Sequence, residues 1–446
     1  MASSNGSRTH PYLWVPSSYF AEGIPFALVI WVAGTMFKDL GHSDGAITAA
    51  TAFIGIAWSL KPIWAAFLDM YRTKKFFVLA MEFLMAGLLI LIALALPLPN
   101  YFQIIIAVLW VLAFASSTQD ICVDGIYITT LDAKDQAKYI GVQGVFWNIG
   151  RIFATAVIVY VAGHLKTAYG LSPKTAWVWA MVLGAASLAG LGVYHYFLLP
   201  TGSITVRPHS VGAVARTFVD TWADFFRKDA IWGMLLFVLF YRCSEGLLLM
   251  EGPLFLQAPL DAGGIGLSLE QKGLIDGLIS TGVSLAGGLA GGMFMAKFGL
   301  RRRTLIFMAL CLNVPHLTYI YLSQAVAPGE PLSMWVIGSM VTIEKFGYSF
   351  GFVANMLYMM QQISPGKYHM THYAYCTALM NLMLVPTQWV SGMLADLMGY
   401  KTYFVVVFFA AIPSVLVACL APFPRGQIGK GGEKLLPDPD PAGTGG

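Results

Sequence analysis

The sequence predicts an all-α membrane protein with about twelve transmembrane helices, arranged as two pseudo-symmetric halves of six. Of its 446 residues, 57% are hydrophobic and 11% are charged, whereas an average soluble domain carries roughly 25% charged residues. Apolar windows long enough to cross a bilayer recur along almost the whole chain. A soluble core could not bury this much apolar surface, so lipid is predicted to surround most of the helices.

The apolar windows follow one another with short connections, except after the sixth. They cover residues 12–37, 46–68, 76–97, 101–130, 139–163, 175–199, 230–257, 268–296, 303–324, 333–362, 368–396 and 399–421. The longer sixth connection divides the chain into four predicted regions. These are an N-terminal six-helix half (1–199), a cytoplasmic linker (200–229), a C-terminal six-helix half (230–421) and a disordered cytoplasmic tail (422–446).

The linker and the loop charges predict how the chain is oriented. Apolar linker residues that share one helical face predict an amphipathic helix on the membrane surface: Val211, Val214, Phe218, Trp222 and Phe225. Lys and Arg are concentrated in the loops that share a side with the N-terminus. By the positive-inside rule, both termini are predicted to be cytoplasmic.

An internal repeat relates the two halves. "AEGIPFAL" in the first span and "SEGLLLME" in the seventh share Glu-Gly, and Glu22 and Glu245 are separated by half the length of the chain. Asp120 in the fourth span and Glu344 in the tenth are separated by almost the same distance. Duplicated six-helix halves are typical of secondary transporters.

Charged residues inside the spans are the candidate functional residues, because a charge at mid-membrane costs about 2.5–3.5 kcal/mol. The predicted proton-coupling carboxylates are Glu22, Asp120, Asp124, Glu245 and Glu344. Two interpretations stay open for this set. The charges pair with one another and hold helices in place, as Arg242 and Glu245 could, or they line a wet path and bind protons and ligand.

Glu22 stands out among these carboxylates because Gly23 and Pro25 follow it. Proline has no amide hydrogen for the carbonyl of Ala21, which predicts a broken helical turn beside water. Such a site suits a carboxylate that carries a coupling proton. The alternative is a structural salt bridge from Glu22 to Lys61 or Arg151.

The remaining charged positions predict substrate contacts or a gate. Arg151 and Arg242 are candidates for an anionic substrate because guanidinium groups bind carboxylates in bidentate fashion. Lys345 is a weaker candidate that neighbours Glu344 but points about 100° away around the helix. Asp120 and Asp124 share a helix face, which predicts either a proton relay or a gate that pairs with Arg151 or with the basic loops.

Several other patterns predict no chemistry. The five cysteines have no metal-binding spacing, and His369 and His372 lack a third ligand, so we predict neither a metal nor a cofactor. Glu82 lies near the end of its span and is predicted to reach the lipid headgroups. The loops are short and carry no reactive cluster, so the chain is not predicted to be an enzyme.

Two basic loops also correspond between the halves: "FLDMYRTKK" follows span two and "MAKFGLRRR" follows span eight. They resemble the conserved loop of the major facilitator superfamily, written G-x-x-x-D-R-x-G-R-R, although Ala296 replaces the acid in the second copy. The resemblance implies a gating role for residues in both loops: Asp69, Arg72, Lys74, Gly299 and Arg301.

Longer stretches, "YFAEGIPFAL", "SSTQDICVDG" and "EKFGYSFGFVANMLYMMQQIS", resemble the AmpG-like muropeptide permeases, a branch of that superfamily that also includes acetyl-CoA transporters. Gly23, Gln119, Asp120 and Asp124 fall on motif positions of this family, and Gly23 and Gln119 are thereby implied as substrate contacts. Glu22 departs from it, because the family commonly has a small polar residue there.

This resemblance implies a symporter: a monomeric, multi-pass protein of the bacterial inner membrane that imports anhydromuropeptides with protons for peptidoglycan recycling. Its partners would be the bilayer, protons and a small anionic substrate, with no nucleic acid. The alternative substrates are acetyl-CoA or a peptide or sugar acid. A membrane-embedded transferase is the least favoured alternative.

Overall fold

The computed structural model of the protein describes residues 9–61, 64, 68, 73–202, 211–327, 329–366 and 369–427. The named elements within these ranges are all helices, which confirms the predicted fold class. The chain divides into two compact units. Unit one contains the described residues of Met1–His209, Pro253–Pro259 and Gly266–Leu278, and unit two those of Ser210–Gly252, Leu260–Ile265 and Ile279–Gly446.

Seven helices from the first part of the chain form most of unit one. They are α1 (Pro11–Asp39), α2 (Asp44–Thr51), α3 (Ile56–Ser59), α4 (Lys74–Ala95), α5 (Tyr101–Thr130), α6 (residues 133–169) and α7 (Pro173–Leu198). Polar N-caps begin several of them: the side chains of Ser43, Thr73, Asp132 and Ser172 each accept a hydrogen bond from a backbone amide in the first helical turn. These caps satisfy amides that the helix itself leaves without partners.

Helices α1 and α6 of unit one each contain a π-helical turn. The turn in α1 spans Leu28–Val32, and the turn in α6 spans Phe153–Ile158. Turns of this kind inside α-helices are frequently found at functional sites. The prediction of a broken turn at Glu22 is wrong, because α1 continues as α-helix through Glu22 and Pro25 and changes its winding only three residues after the proline.

Unit two is built mainly from helices of the second part of the chain. They are α8 (Val211–Phe226), α9 (Ile231–Phe240), α10 (Glu245–Gln257), α11 (Leu269–Phe298), α12 (Arg302–Ala325), α13 (residues 334–363), α14 (His369–Phe409) and α15 (Ile412–Leu420). The end of α10 and the start of α11 belong to unit one. The prediction that the chain divides into domains at residues 199 and 230 stays a prediction.

The predicted spans correspond to these helices with three differences. The first concerns the predicted span 333–362: the described residues there form α13, which is not among the helices long and apolar enough to cross a membrane. Among the described residues, nine helical segments are long and apolar enough to cross a membrane, and one of them, Thr371–Leu420, covers two predicted spans. Gly399 has a φ of 72° there, which bends the chain between the two spans. In place of the predicted span 46–68, the described residues form only the short helices α2 and α3.

The linker and the beginning of the tail both pack against unit two. Phe225 is buried, and the half-buried Trp222 stacks on Tyr375 with ring centroids 4.6 Å apart. These two side chains therefore contact protein, whereas lipid was predicted. The Gln362 side-chain amide donates to the carbonyl of Gly426, so the predicted disorder of the tail is wrong for residues 422–427, and the rest of the tail lies outside the described residues.

Candidate functional site

Glu22 on α1 is a buried carboxylate, with 3% of its surface exposed. The charged groups that act on it are Asp124, Lys61 and Glu82. Among the described residues, its Oε1 atom has no hydrogen-bond partner. A buried carboxylate without a full set of partners is costly unless it binds a proton or a cation. The predicted proton-coupling role of Glu22 stays a prediction, and its burial is compatible with that role.

The two aspartates of α5 have separate partners. Asp120 forms an ion pair with Lys61. Asp124 accepts hydrogen bonds from the Tyr19 hydroxyl at 2.7 Å and from the Gln143 amide at 3.3 Å. The cation in contact with Asp120 is thus Lys61, which the sequence offers only as one alternative partner of Glu22.

Gly23 lies where α1 crosses α6. A Cβ atom on Gly23 would lie 2.2 Å from the carbonyl oxygen of Trp147, and one on Gly150 would lie 2.2 Å from that of Phe20. Real Cβ atoms do not approach other atoms this closely, so both glycines are needed for the backbones to touch. Gly23 therefore has a packing role, and its contact with substrate stays a prediction.

Arg151 lies one helical turn after Trp147 on α6, and its guanidinium lies over the ring of Trp31. Its guanidinium carbon is 5.3 Å from the centroid of the Trp31 ring. The Phe26 ring has its centroid 4.8 to 5.6 Å from those of Trp58, Trp147 and Trp31. We call Phe26, Trp31, Trp58 and Trp147 the aromatic cluster, and each of its members is half-buried. The arrangement combines a cation with broad apolar ring faces.

The side-chain amide of Gln119 on α5 donates a 3.0 Å hydrogen bond to Glu82 of α4. The same Glu82 oxygen lies 2.7 Å from His195 Nδ1, and His195 Nε2 lies 2.9 Å from the Ser17 hydroxyl. Glu82, Gln119 and His195 are all fully buried. The prediction that Glu82 reaches the headgroups is wrong, and sequence reasoning missed His195, whose only signal was a histidine inside an apolar span.

In unit two, the chain leaves the helical path between α9 and α10, at Tyr241–Ser244. Arg242 in this break donates a 2.9 Å hydrogen bond to the Tyr348 hydroxyl and lies 3.9 Å from a Glu245 carboxylate oxygen. Its guanidinium carbon also lies 4.5 Å from the Phe352 ring centroid. The i,i+3 pairing expected of Arg242 and Glu245 is present, although the two residues do not share one helix.

Glu344 and Lys345 form an ion pair, with Lys345 Nζ 3.0 Å from Glu344 Oε2. The expectation that Lys345 points away from Glu344 is wrong, because the long lysine side chain bends back across the helix surface. Glu251 and His316 are also buried in unit two. Neither ring nitrogen of His316 has a hydrogen-bond partner among the described residues, and this histidine too escaped the sequence analysis.

Three of the five predicted loop-motif residues lie within the described part of the chain, each at the beginning or end of a helix. Lys74 is buried at the start of α4. Gly299 ends α11 with a φ of 75°, and the Arg301 amide donates to Thr304 Oγ1 at 2.9 Å at the start of α12. Asp69 and Arg72 lie outside the described residues, so the gating role of the motif stays a prediction.

No group of three or more metal-binding side chains occurs within the part of the chain that the structure describes. His372 lies 3.2 Å from the carbonyl oxygen of Thr221 through its Nε2 atom. The side chain of His369 is not described.

Comparison with known proteins identifies relatives over most of the chain. The family described as Major Facilitator Superfamily matches residues 17–373. A protein of Rickettsia conorii that carries the name AmpG 4 is 24% identical, over 89% of this chain and 92% of its own. The anhydromuropeptide permease of Escherichia coli K12 is 23% identical, over 89% of this chain and 77% of its own.

Solved structures have the same fold at lower identity. A bacterial homologue of the human lysosomal transporter Spinster, in an inward-facing and occupied conformation, matches with a TM-score of 0.71 and 14% identity, over 92% of this chain and 97% of its own. The nucleoside transporter NupG matches with a TM-score of 0.68 and 15% identity, over 91% and 98%. At these identities the likeness concerns the fold alone.

Proposed function

The chain belongs to the major facilitator superfamily of membrane transporters, and we propose that it is a symporter that imports an anhydromuropeptide together with protons. The proposed setting is the bacterial inner membrane, with both termini in the cytoplasm. Similarity to the Escherichia coli permease over 89% of the chain supports this substrate class. The mechanism would be alternating access, in which a binding site opens to one side of the membrane at a time.

Proton binding is assigned to Glu22, and its burial without a partner for Oε1 is the observation that carries the proposal. Ionised Glu22 would face Asp124 and Glu82, two further acids, with Lys61 as the cation that acts on it. Because Lys61 is already in contact with Asp120, its charge is shared between acids. A proton on Glu22 removes the unpaired negative charge, so protonation and a change of conformation would be linked. Glu245 and Glu344 stay candidates for this role in unit two.

Substrate binding is assigned to Arg151 and the aromatic cluster. An anhydromuropeptide combines sugar rings, which have apolar faces, with peptide carboxylates, which are acceptors for guanidinium. Arg151 provides the guanidinium and Trp31 provides an apolar ring face, and the two groups are adjacent in unit one. Arg242 and Lys345 are further candidates for carboxylate contacts, although each already has an acidic partner, Glu245 and Glu344 respectively.

The test is uptake of labelled anhydromuropeptide into proteoliposomes, with and without an inward proton gradient. Uptake of labelled acetyl-CoA and of the labelled free amino sugar is measured in separate, parallel assays. We expect the gradient to drive accumulation of the muropeptide alone. Accumulation of acetyl-CoA instead, or uptake that ignores the gradient, would contradict the proposed substrate or the proposed coupling respectively.

A further inference from the structure

Four helices of unit one contribute to a line of buried polar side chains that the proposed function does not use as a whole. The line comprises Ser17, His195, Glu82 and Gln119, from α1, α7, α4 and α5, and we call it the Glu82–His195 chain. Three of its members have no exposed surface, whereas Ser17 is half-buried. The second Glu82 oxygen, Oε2, has no hydrogen-bond partner among the described residues. Burying a carboxylate and a histidine together without exposure to solvent costs free energy, so their presence here points to a function.

The hydrogen bonds fit a state in which the Glu82–His195 pair holds two protons. Ser17 Oγ is 3.1 Å from the carbonyl oxygen of Trp14 and 3.3 Å from that of Leu13, so its hydroxyl donates to the backbone. The oxygen is then an acceptor for His195 Nε2–H. A second proton lies in the 2.7 Å contact between His195 Nδ1 and Glu82 Oε1, on one atom or the other. In this state the pair is neutral overall.

A state with one proton fewer fits the same heavy-atom positions. If the Ser17 hydroxyl rotates toward the ring, it donates to Nε2, while Nδ1–H donates to the Glu82 carboxylate. The lost proton is the one on Nε2: it passes to Ser17 Oγ as the hydroxyl gives its own proton to water. The pair then carries one negative charge. Of the four side chains in the Glu82–His195 chain, only Ser17 has exposed surface. The proton therefore leaves the pair through the Ser17 hydroxyl.

The charged groups nearby link this state to Glu22. Glu82 acts electrostatically on Glu22. The other titratable or charged groups that α1, α4, α5 and residue 61 bring to this part of unit one are Tyr19, Lys61, Lys74, Lys75, Asp120 and Asp124. A negative charge on the Glu82–His195 pair disfavours ionisation of Glu22, and ionised Glu22 favours the neutral pair. The two sites therefore oppose simultaneous loss of their protons.

We propose that the Glu82–His195 chain is a second proton-binding site of this protein, which exchanges its proton through Ser17 and whose charge is coupled to that of Glu22. Its role in transport rests on the proposed proton coupling. The existence of the proton-binding site does not depend on transport, because the site is formed by the hydrogen bonds among Ser17, His195, Glu82 and Gln119 alone. Glu82 and His195 would then contribute to coupling without touching the substrate.

The first test measures the proton directly, without substrate. Infrared difference spectra of the purified protein, taken between about pH 5 and pH 8, report carboxyl and imidazole groups that change protonation in the range where histidine titrates. We expect Glu82→Gln to remove a carboxyl signal and His195→Gln to remove an imidazole signal and to displace the carboxyl one. Spectra of both variants identical to that of the unaltered protein would overturn the proposal. Ser17→Ala keeps the pair and is expected to displace both signals.

The second test asks whether this proton takes part in transport. Glu82→Gln is expected to lower gradient-driven accumulation at least tenfold and to leave counterflow exchange within about twofold. Ser244→Ala is the matched control, because it removes a buried 2.9 Å hydrogen bond to Asn313 without a titratable group. Full accumulation by Glu82→Gln would overturn the role in coupling. If the unaltered protein shows no gradient-driven accumulation while the infrared signals titrate, the proposed function fails and the proton site stands.

Discussion

The Tyr19 hydroxyl donates a 2.7 Å hydrogen bond to Asp124 and so joins α1 to α5 within one turn of Glu22. The tyrosine is buried and its ring also contacts that of Tyr127 edge to face, with centroids 6.1 Å apart. Asp124 acts electrostatically on Glu22. The hydrogen bond therefore fixes the position of a carboxylate that acts electrostatically on Glu22.

Tyr19→Phe removes this donor and leaves Asp124 with the longer bond from Gln143. Because hydrogen bonds to charged groups contribute about 1.5–3 kcal/mol, we expect the free energy of unfolding in detergent to fall by about that amount. A double-mutant cycle with Asp124→Ala, which removes the acceptor, isolates the pair, and the two effects should not add. Additive losses would mean that the bond contributes nothing of its own.

Gly23→Ala is expected to destabilise the crossing of α1 and α6, because the new methyl group would overlap the Trp147 carbonyl. Overpacking of this kind costs about 1–3 kcal/mol, measurable as a lower unfolding temperature in detergent. Gly87→Ala in α4 is the control, since nothing lies within 4 Å of its added Cβ. The control should be neutral or more stable by up to about 1 kcal/mol, from helix propensity. Equal effects of the two substitutions would contradict the close crossing.

Arg151→Lys keeps the positive charge but loses the planar, bidentate guanidinium and its stacking on Trp31. We expect the KM for the muropeptide to rise about tenfold, equivalent to about 1.4 kcal/mol of binding, with a smaller change in the maximal rate. Arg227→Lys, at an exposed position of the linker, should leave KM unchanged. An unchanged KM in Arg151→Lys would remove this arginine from the binding site.

His42, between α1 and α2, is expected to make stability depend on pH. Burial lowers the pKa of His42 below its usual value of 6.5, and its Nε2 atom lies 2.8 Å from the Tyr101 hydroxyl. The unfolded chain therefore binds a proton at higher pH than the folded one, so stability is complete above about pH 6.5 and is lost as the pH falls below it. Thermal unfolding in detergent should show a steeper loss below pH 6.5 for the unaltered protein than for His42→Gln. If the unfolding temperatures of the two proteins fell in parallel with pH, His42 would not be a source of the pH dependence of stability.

The helical class of the fold and most of its apolar segments could be predicted from the sequence, because hydrophobic length is a local property. The candidate site could be predicted only in part. Charges such as Glu22 and Arg242 stand out against an apolar background, but which side chains meet depends on helix rotation and crossing, which no local pattern encodes. Thus the sequence does not predict that His195 lies opposite Glu82, or that Lys61, an alternative partner of Glu22, contacts Asp120.

Deviations from ideal helix were equally hard to place. Pro25 indicated a disturbance in α1, yet the π-turn lies at Leu28–Val32. The break at Tyr241–Ser244 has no proline or glycine within it. Its Arg242 bonds to Tyr348 on α13, so a contact between helices, which the local sequence does not reveal, accompanies the break.

The central claim, that Glu22 carries the coupling proton, is tested most directly by proton flux into proteoliposomes that contain a trapped pH-sensitive dye. Addition of anhydromuropeptide outside should acidify the interior with the unaltered protein and with Glu330→Gln, an exposed control. Glu22→Gln should give no substrate-driven acidification, while its counterflow exchange of labelled muropeptide continues. Acidification by Glu22→Gln equal to that of the unaltered protein would contradict the account.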